Sequence, residues 1–188
     1  MKQALTLIIG LFTVVAAFAN EFAPAISEHA NTEVKKWLGD AQIVNAVKAQ
    51  NIANAGLSEA DIIKLDKTWR AETSASAQPM INKVLNNSLS AYLKQRQEAS
   101  AGLYTEIFVM DNKGVNVGQS AITSDYWQGD EAKWQKTYQA GAGAIHISDV
   151  EEDESTQTFQ SQLSLPVVDP VTGTVIGAVT IGVNVEGL

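Results

Sequence analysis

The chain has 188 residues, of which 45% are hydrophobic and 18% are charged, and its formal net charge is −8 at pH 7. This composition is typical of one folded globular domain of ordinary size and excludes a disordered chain. The acidic balance and the lack of a Lys/Arg cluster disfavour nucleic acid and anionic membranes as partners. Without cysteine, the chain can form no disulfide, thiolate metal site or cysteine nucleophile.

The first 19 residues have the features of a secretory signal peptide. Lys2 supplies a positive charge, residues 5–15 form an apolar run, and residues 17–19 read Ala-Phe-Ala, a small-x-small cleavage pattern. The alternative is an uncleaved membrane anchor, but the apolar run is only about 15 residues long and no basic stop-transfer cluster follows it. We therefore expect cleavage, a mature chain from about Asn20 and a periplasmic location.

Residues 20–102 are predicted to be helical. A spacing of three and four between apolar residues indicates a long amphipathic helix over residues 22–49, with a bend at Gly39. Ser58 and Asp61 have the spacing of a capping box, which predicts the start of a second helix. Pro79 suits the first turn of a third helix, whose apolar face runs to Leu93 and which ends near Gly102.

Residues 103–188 are predicted to form a sheet, because the apolar period changes from 3.6 to 2. A turn at residues 111–114 joins the first two strands into a hairpin. A helix-like insert is predicted over residues 129–138. The expected strands are 104–110, one from Val115 onward, 142–148, 158–167 and 174–185.

The two C-terminal strands differ in how their apolar residues are arranged. Along residues 158–167, Phe159, Leu163, Leu165 and Val167 alternate with polar residues, which predicts one buried and one polar face. Along residues 174–185 both faces are apolar or small, which predicts a central strand. The chain is therefore expected to have an α+β fold, with long helices on one face of an antiparallel sheet of about five strands and a smaller element on the other.

Three stretches resemble the Cache superfamily, also called PDC, of PAS-like extracellular sensor domains. They are the strand and turn at residues 106–114, the aromatic insert at residues 123–134, and the closing hairpin at residues 165–177. The resemblance covers most of the chain from residue 20 and implies a single sensor domain over residues 20–188. In such domains the insert and the strand after it line a small-molecule cavity, whose ligands are often amino acids, carboxylates or related metabolites.

The resemblance also implies partners. Family members normally carry membrane-spanning segments and an intracellular signalling domain, so we expect this chain to act through a membrane receptor or histidine kinase. Cache sensors often pair through their N-terminal helix, which implies a possible homodimer. The alternative is a structural or interaction protein that has kept the fold, lost the ligand and binds a receptor or kinase ectodomain.

The candidate ligand site is the aromatic insert. Tyr126, Trp127 and Trp134 offer apolar walls with polar tips, while Asp130 suits a cationic group. The alternative is that the two tryptophans belong to the core and that Asp130 caps a helix. Lys133 is a candidate positive charge.

The charge pattern around the insert bears on the ligand. The two arginines, Arg70 and Arg96, lie on predicted helices before the sheet, which disfavours a dicarboxylate and favours a neutral or cationic ligand. His146 and Asp149 follow the insert as further candidate ligand contacts, although a strand-end histidine without function is the alternative.

Catalytic and metal-binding signals are missing from the sequence. There is no nucleophile elbow, phosphate loop or dinucleotide fingerprint, so we expect no enzyme activity and no cofactor. His29 and His146 lack zinc-ligand spacing. The acidic run at residues 149–154 lacks the pattern of a calcium loop and is expected to be a solvated connection.

Overall fold

The computed structural model describes residues 20–153 and 158–188. It confirms the predicted α+β fold, with helices in the first half of the chain packed on an antiparallel sheet in the second. The expected signal peptide lies outside the described residues. In the part of the chain that is described, no helix is both long and apolar enough to cross a membrane.

The predicted long N-terminal helix is divided into two. Helix α1 (Ala23–His29) continues through a π-helical turn (Ala30–Val34) into α2 (Lys35–Leu38), and α3 spans Ala41–Ala53. Instead of bending at Gly39, the chain leaves the helix there, because the next residue, Asp40, has extended backbone at ψ 138°. The apolar stripe is buried on both sides of this break.

The second predicted helix, α4 (Glu59–Glu72), begins with the expected capping box. The Ser58 hydroxyl accepts a hydrogen bond from the Asp61 amide at 3.3 Å, and the Asp61 carboxylate accepts one from the Ser58 amide at 3.0 Å. These bonds pair two amide groups that helix geometry leaves free. The sequence signal therefore identified this helix start correctly.

The third predicted helix is two helices, α5 (Pro79–Leu85) and α6 (Ser88–Ala99). Asn87 separates them, because its backbone is extended and its side chain accepts a hydrogen bond from the Ser90 amide at 2.8 Å. An asparagine side chain competes with helical hydrogen bonding in this way and favours the cap position. The continuous apolar face concealed the break.

The described strands are β1 (Tyr104–Met110), β2 (Asn116–Gln119), β3 (His146–Ile147), β4 (Glu151–Asp153), β5 (Thr158–Val168) and β6 (Val175–Asn184). The sheet runs in the order β2-β1-β6-β5-β3, and β4 also pairs with β5. The prediction that the last strand is central is confirmed, since β6 lies between β1 and β5 and is buried on both faces.

Two sequence predictions about this sheet were wrong. The acidic run was expected to be a loop, but Glu151 and Glu152 pair with Gln160 and Phe159 as part of β4. Backbone pairing to the long strand β5 is compatible with carboxylates that stay exposed to solvent. Phe159 was expected in the core but is 48% exposed, because it lies at the outer end of β5.

The two faces of the sheet are covered by different elements. One face carries the main core, in which Ile107, Val179 and Leu163 pack against the apolar residues of the N-terminal helices. The other, here called the insert face, carries Phe108, Met110, Ala178, Thr180 and Ser164. It is covered by the insert, residues 120–145, which joins β2 to β3 and contains the short helix α7 (Ala132–Gln135).

Candidate functional site

A row of side chains crosses the insert face from one edge of the sheet to the other. The strand register pairs Gln119 with Phe108, Phe108 with Thr180, Thr180 with Ser164, and Ser164 with His146. Directly paired residues in antiparallel strands point to the same face. The hydroxyl oxygens of Ser164 and Thr180 lie 3.0 Å apart, and both side chains are fully buried. The row therefore places polar groups inside the covered part of the sheet.

A cluster of buried amides adjoins this row at β2. The Asn116 Nδ2 group donates hydrogen bonds to Gln119 Oε1 at 3.1 Å and to Thr123 Oγ1 at 3.0 Å. It also donates to the backbone oxygen of Asp125, as does Gln128 Nε2. The insert thus meets the sheet through side-chain amides rather than through apolar contacts alone.

Three atoms of this cluster have no partner among the described residues. They are Asn116 Oδ1, Gln119 Nε2 and Gln128 Oε1, in side chains that are at most 2% exposed. A buried polar group without a hydrogen bond costs about 1–3 kcal/mol, so native structures provide such groups with protein, ordered water or ligand partners. The cluster therefore has one donor and two acceptors available to a polar molecule.

Helix α7 provides the aromatic cover of the insert face. Trp134 is 8% exposed and packs with Phe108, Met110 and Ala178. Its ring stacks on that of Tyr138 with the centroids 4.8 Å apart. Trp134 and Tyr138 therefore form a closely packed aromatic cover, here called the lid, over the insert face.

Two basic groups lie beside this lid. The Lys133 ammonium is 5.4 Å from the centroid of the Phe108 ring and forms an ion pair with Glu131 at 3.0 Å. The pKa of His146 is lowered by burial and then by the nearby charges of Lys136 and Lys133. The structure thus brings three of the predicted site residues, Lys133, Trp134 and His146, to one face of the sheet.

The other two predicted aromatic residues serve different contacts. The Tyr126 ring stacks on Trp69 of α4, with centroids 5.3 Å apart. Trp127 donates from its indole nitrogen to the Lys113 carbonyl at 2.8 Å and so braces the β1–β2 turn. A ligand contact by either residue stays a prediction.

The predicted carboxylates lie apart from the lid. Asp130 is exposed on the insert, whereas Asp149 lines a separate cleft with Phe22 and Phe159. A role for either in ligand binding also stays a prediction. Within residues 20–153 and 158–188, no group of three or more Asp, Glu or His side chains is placed to hold a metal ion.

The insert is anchored to α4 by a carboxylate that the sequence did not single out. Asp66 Oδ1 accepts hydrogen bonds from the amides of Tyr126 at 2.9 Å and Trp127 at 3.0 Å. Arg70 donates to Asp66 Oδ2 at 2.7 Å and forms an ion pair with Asp125 at 2.6 Å. Arg70 is therefore engaged in holding the insert.

Sequence reasoning missed the polar residues of the row. Thr180 interrupts a run of apolar residues in the central strand β6, which was the available signal for a polar group in the core. Ser164 belongs to the face of β5 that was expected to be polar, but the insert buries it. Gln119 of the row and Asn116 of the adjoining amide cluster both lie on β2, for which Val115 and Val117 were the available apolar signal of a strand.

Comparison with known proteins found similarity in structure and none in sequence. No family model matches the chain, and no curated protein matches it. The structure is similar to the sensor domain of the histidine kinase DctB from V. cholerae, with a TM-score of 0.39 and 13% identity. It is also similar to the ligand-binding domain of the Pseudomonas aeruginosa chemoreceptor PctC in complex with GABA, with a TM-score of 0.42 and 14% identity.

A third similar structure is the sensory domain of the Campylobacter jejuni chemoreceptor Tlp3 with isoleucine bound, with a TM-score of 0.39 and 11% identity. The matches cover 89%, 82% and 85% of this chain for DctB, PctC and Tlp3. They span 58%, 62% and 62% of the DctB, PctC and Tlp3 chains. The chain therefore spans about three fifths of the length of each of these solved structures, and the similarity is one of fold.

Proposed function

We propose that the chain is a small-molecule-binding sensor module whose ligand binds on the insert face, between the polar row and α7. The observation that carries the proposal is the set of unpartnered buried atoms on Asn116, Gln119 and Gln128. A polar ligand that pairs with them would remove a desolvation cost, which is the physical basis of affinity at a mostly apolar site.

The chemistry of the site favours a small molecule with both a carboxylate and an amino group. Lys133, the Gln119 amide nitrogen and the hydroxyls of Ser164 and Thr180 suit an anionic group. The amide oxygens of Asn116 and Gln128 suit an ammonium group. The site thus favours an amino acid, which belongs to the neutral or cationic ligands that the scarcity of arginine favoured, over an amine or a small organic acid. The PctC and Tlp3 domains bind GABA and isoleucine, respectively.

Binding on this face requires the insert to move. Phe108, Thr180 and Ser164 are at most 2% exposed beneath the lid. A ligand that pairs with the buried amides would favour an insert position in which they are reachable, and so would shift the population between two arrangements. In this proposal the chain is periplasmic and acts through a membrane receptor or histidine kinase. Its N-terminal helix is the proposed surface for homodimerisation.

The test is a thermal-shift screen of the purified protein with amino acids, amines and small organic acids. A ligand at about 100 times its Kd should stabilise the protein by about 2.7 kcal/mol, which raises Tm by several degrees. Thr180→Val and Gln119→Leu should remove this rise because each deletes a polar group on the insert face. Thr68→Val, on the exposed side of α4, is the matched control and should retain it.

A second function is favoured by the packing of the lid. Trp134, Phe108, Met110 and Ala178 already form a hydrophobic cluster without a ligand. The same fold would then serve as an interaction protein that binds a receptor or kinase ectodomain. Failure of every small polar metabolite to raise Tm, together with co-purification of a membrane receptor or kinase, would support this function over the first.

A further inference from the structure

We propose that the chain has a second binding site, for an amphipathic monocarboxylate, in a cleft among its helices. The cleft, here called the helix cleft, lies between α3 on one side and α4, α5 and α6 on the others, and it reaches β2. Its volume is about 570 Å³, within the range of small-molecule sites in proteins. Six of its lining residues determine the shape and the charge of the cleft: Ala46, Ala49, Ala53, Met80, Lys83 and Tyr126.

The helix cleft exists because three of the four α3 residues that line it are alanines, the fourth being Gln50. Ala46, Ala49 and Ala53 recur at a spacing of three and four, so they lie along one face of α3. Protein interiors are otherwise packed to crystal-like density. Opposite these alanines, the half-buried side chains of Leu65 and Met80 leave an apolar channel between the helices. The walls therefore suit an aliphatic or aromatic body.

The polar groups of the cleft determine which end group fits. Lys83 is its one charged lining residue, and no carboxylate lines it. Among the described residues, the Lys83 ammonium has no ion-pair partner within 4.0 Å. The exposed Lys83 ammonium is complementary to an anion, and the Asp111 carboxylate behind the cleft wall is already bound by Gln50 and Asn54.

Tyr126 supplies a second donor. Tyr126 lines the cleft, its ring is held by stacking on Trp69, and its hydroxyl makes no hydrogen bond to a described residue. A carboxylate accepts hydrogen bonds from both a phenol and an ammonium. An apolar chain that ends in one carboxylate therefore matches the walls, the charge and the free donor together.

This site is separate from the insert face. The cleft lies on the side of the sheet where Val117 and Leu89 pack in the main core, whereas the polar row lies on the opposite side. Loss of binding on the insert face therefore leaves the helix cleft intact, and the two proposals are tested by different variants.

The test is isothermal titration of the full chain with three probes of equal chain length: octanoate, octanol and octylamine. Octanoate should bind best, roughly tenfold more tightly than octanol and with a still larger margin over octylamine. Lys83→Met should reduce octanoate affinity to that of octanol and leave octanol affinity unchanged. Equal affinity for all three probes, no binding of octanoate, or equal losses for octanoate and octanol in Lys83→Met would overturn the proposal.

A second test of the site fills the cleft with larger side chains. Ala49→Leu places a larger side chain between the helices and should lower the affinity for octanoate by at least about tenfold. Ala53→Leu makes the same change one turn further along α3 and should also weaken binding, and because Ala49 and Ala53 are both exposed, folding should be little affected by either change. Ala91→Leu, exposed on α6 and outside the cleft, is the matched control. Unchanged octanoate binding in both folded α3 variants contradicts a site in the helix cleft.

Discussion

The indole nitrogen of Trp134 donates a hydrogen bond of 3.1 Å to the backbone carbonyl of Asp111. The carboxylate of the same aspartate is fully buried and accepts from Gln50 of α3 at 3.1 Å and from Asn54, the residue after the end of α3, at 2.7 Å. Asp111 therefore joins the lid of the insert face to a helix on the opposite side of the sheet. Under the proposed function, movement of the lid would change the bond between Trp134 and Asp111 and so act on the residue that holds α3.

Replacement of Asp111 by alanine should strongly destabilise the protein. It leaves the side-chain donor of Asn54 and the amides of Lys113 and Val115 without their acceptor, whereas Gln50 loses one of three acceptors and keeps the carbonyls of Val115 and Asn116. At about 1–3 kcal/mol for each group left unpaired, and with partial relaxation, we expect a loss of about 3–5 kcal/mol in the free energy of unfolding. Urea denaturation measures it.

Asp149→Ala is the control for that experiment, because this aspartate is exposed, and it should change stability by less than about 0.5 kcal/mol. Equal stability of the Asp111 and Asp149 variants would show that the buried carboxylate does not hold the β1–β2 turn to α3.

Gly114→Ala should be far more damaging than Gly173→Ala. Both glycines have left-handed backbone, with φ of 79° and 71°. A Cβ on Gly114 would collide with the backbone of Gly129, whereas one on Gly173 meets no atom within 4 Å. We expect about 1 kcal/mol of strain at Gly173 and an additional 1–3 kcal/mol at Gly114.

Thermal unfolding of the two glycine variants measures the difference. A similar Tm for both would mean that the insert does not press against the β1–β2 turn at Gly129. Both variants place alanine in a left-handed backbone, so the difference between their stabilities measures the collision at Gly114 alone.

Asp66→Ala should loosen the start of the insert without disturbing the sheet. The amides of Tyr126 and Trp127 lose their acceptor, and Arg70 loses one of its two carboxylate partners. We expect a loss of about 2–3 kcal/mol in stability. In hydrogen exchange, these two amides should lose protection, while the Thr180 amide in the central strand retains it. Retained protection at Tyr126 and Trp127 would contradict the anchoring role.

His146 should make stability depend on pH in a window below its usual pKa of 6.5. Burial and the charges of Lys136 and Lys133 lower its pKa in the folded state. Between that lowered value and 6.5, the unfolded chain binds more protons than the folded one. The stabilising contribution is therefore present above pH 6.5 and is lost as pH falls through the window.

Denaturation of the wild type and His146→Gln at a series of pH values tests this expectation. In this pH window the free energy of unfolding should depend less on pH in His146→Gln than in the wild type, whereas His29→Gln should keep the pH dependence of the wild type. A slope in the wild type that is unchanged in His146→Gln would contradict the assignment.

The start of α4 and the central position of β6 followed from local signals. Ser58 and Asp61 marked a cap that depends on residues three apart, and the apolar run on both faces of β6 required a central strand. Gly39 was predicted to bend a continuous helix and not to end it, and the break at Asn87 was not predicted, because an apolar stripe continues across both positions. Cap geometry, which depends on backbone angles, decided where those helices end.

The candidate site was predictable only in part. The sequence pointed to the aromatic insert, and Lys133, Trp134 and His146 do lie together on one face of the sheet. It did not identify Gln119, Ser164 and Thr180, since their proximity depends on the register of four strand pairings.

The sequence by itself determined the α+β class, the acidic surface and the central position of the last strand, because composition and apolar periodicity are local properties. Only the tertiary structure decided which polar side chains are buried together and which alanines border a cleft. Those features depend on contacts between residues far apart in the chain, such as Asn87 with Val117 and Asp66 with Trp127. Hydrogen-bond partners and burial arise when such elements pack, so no local pattern carries them.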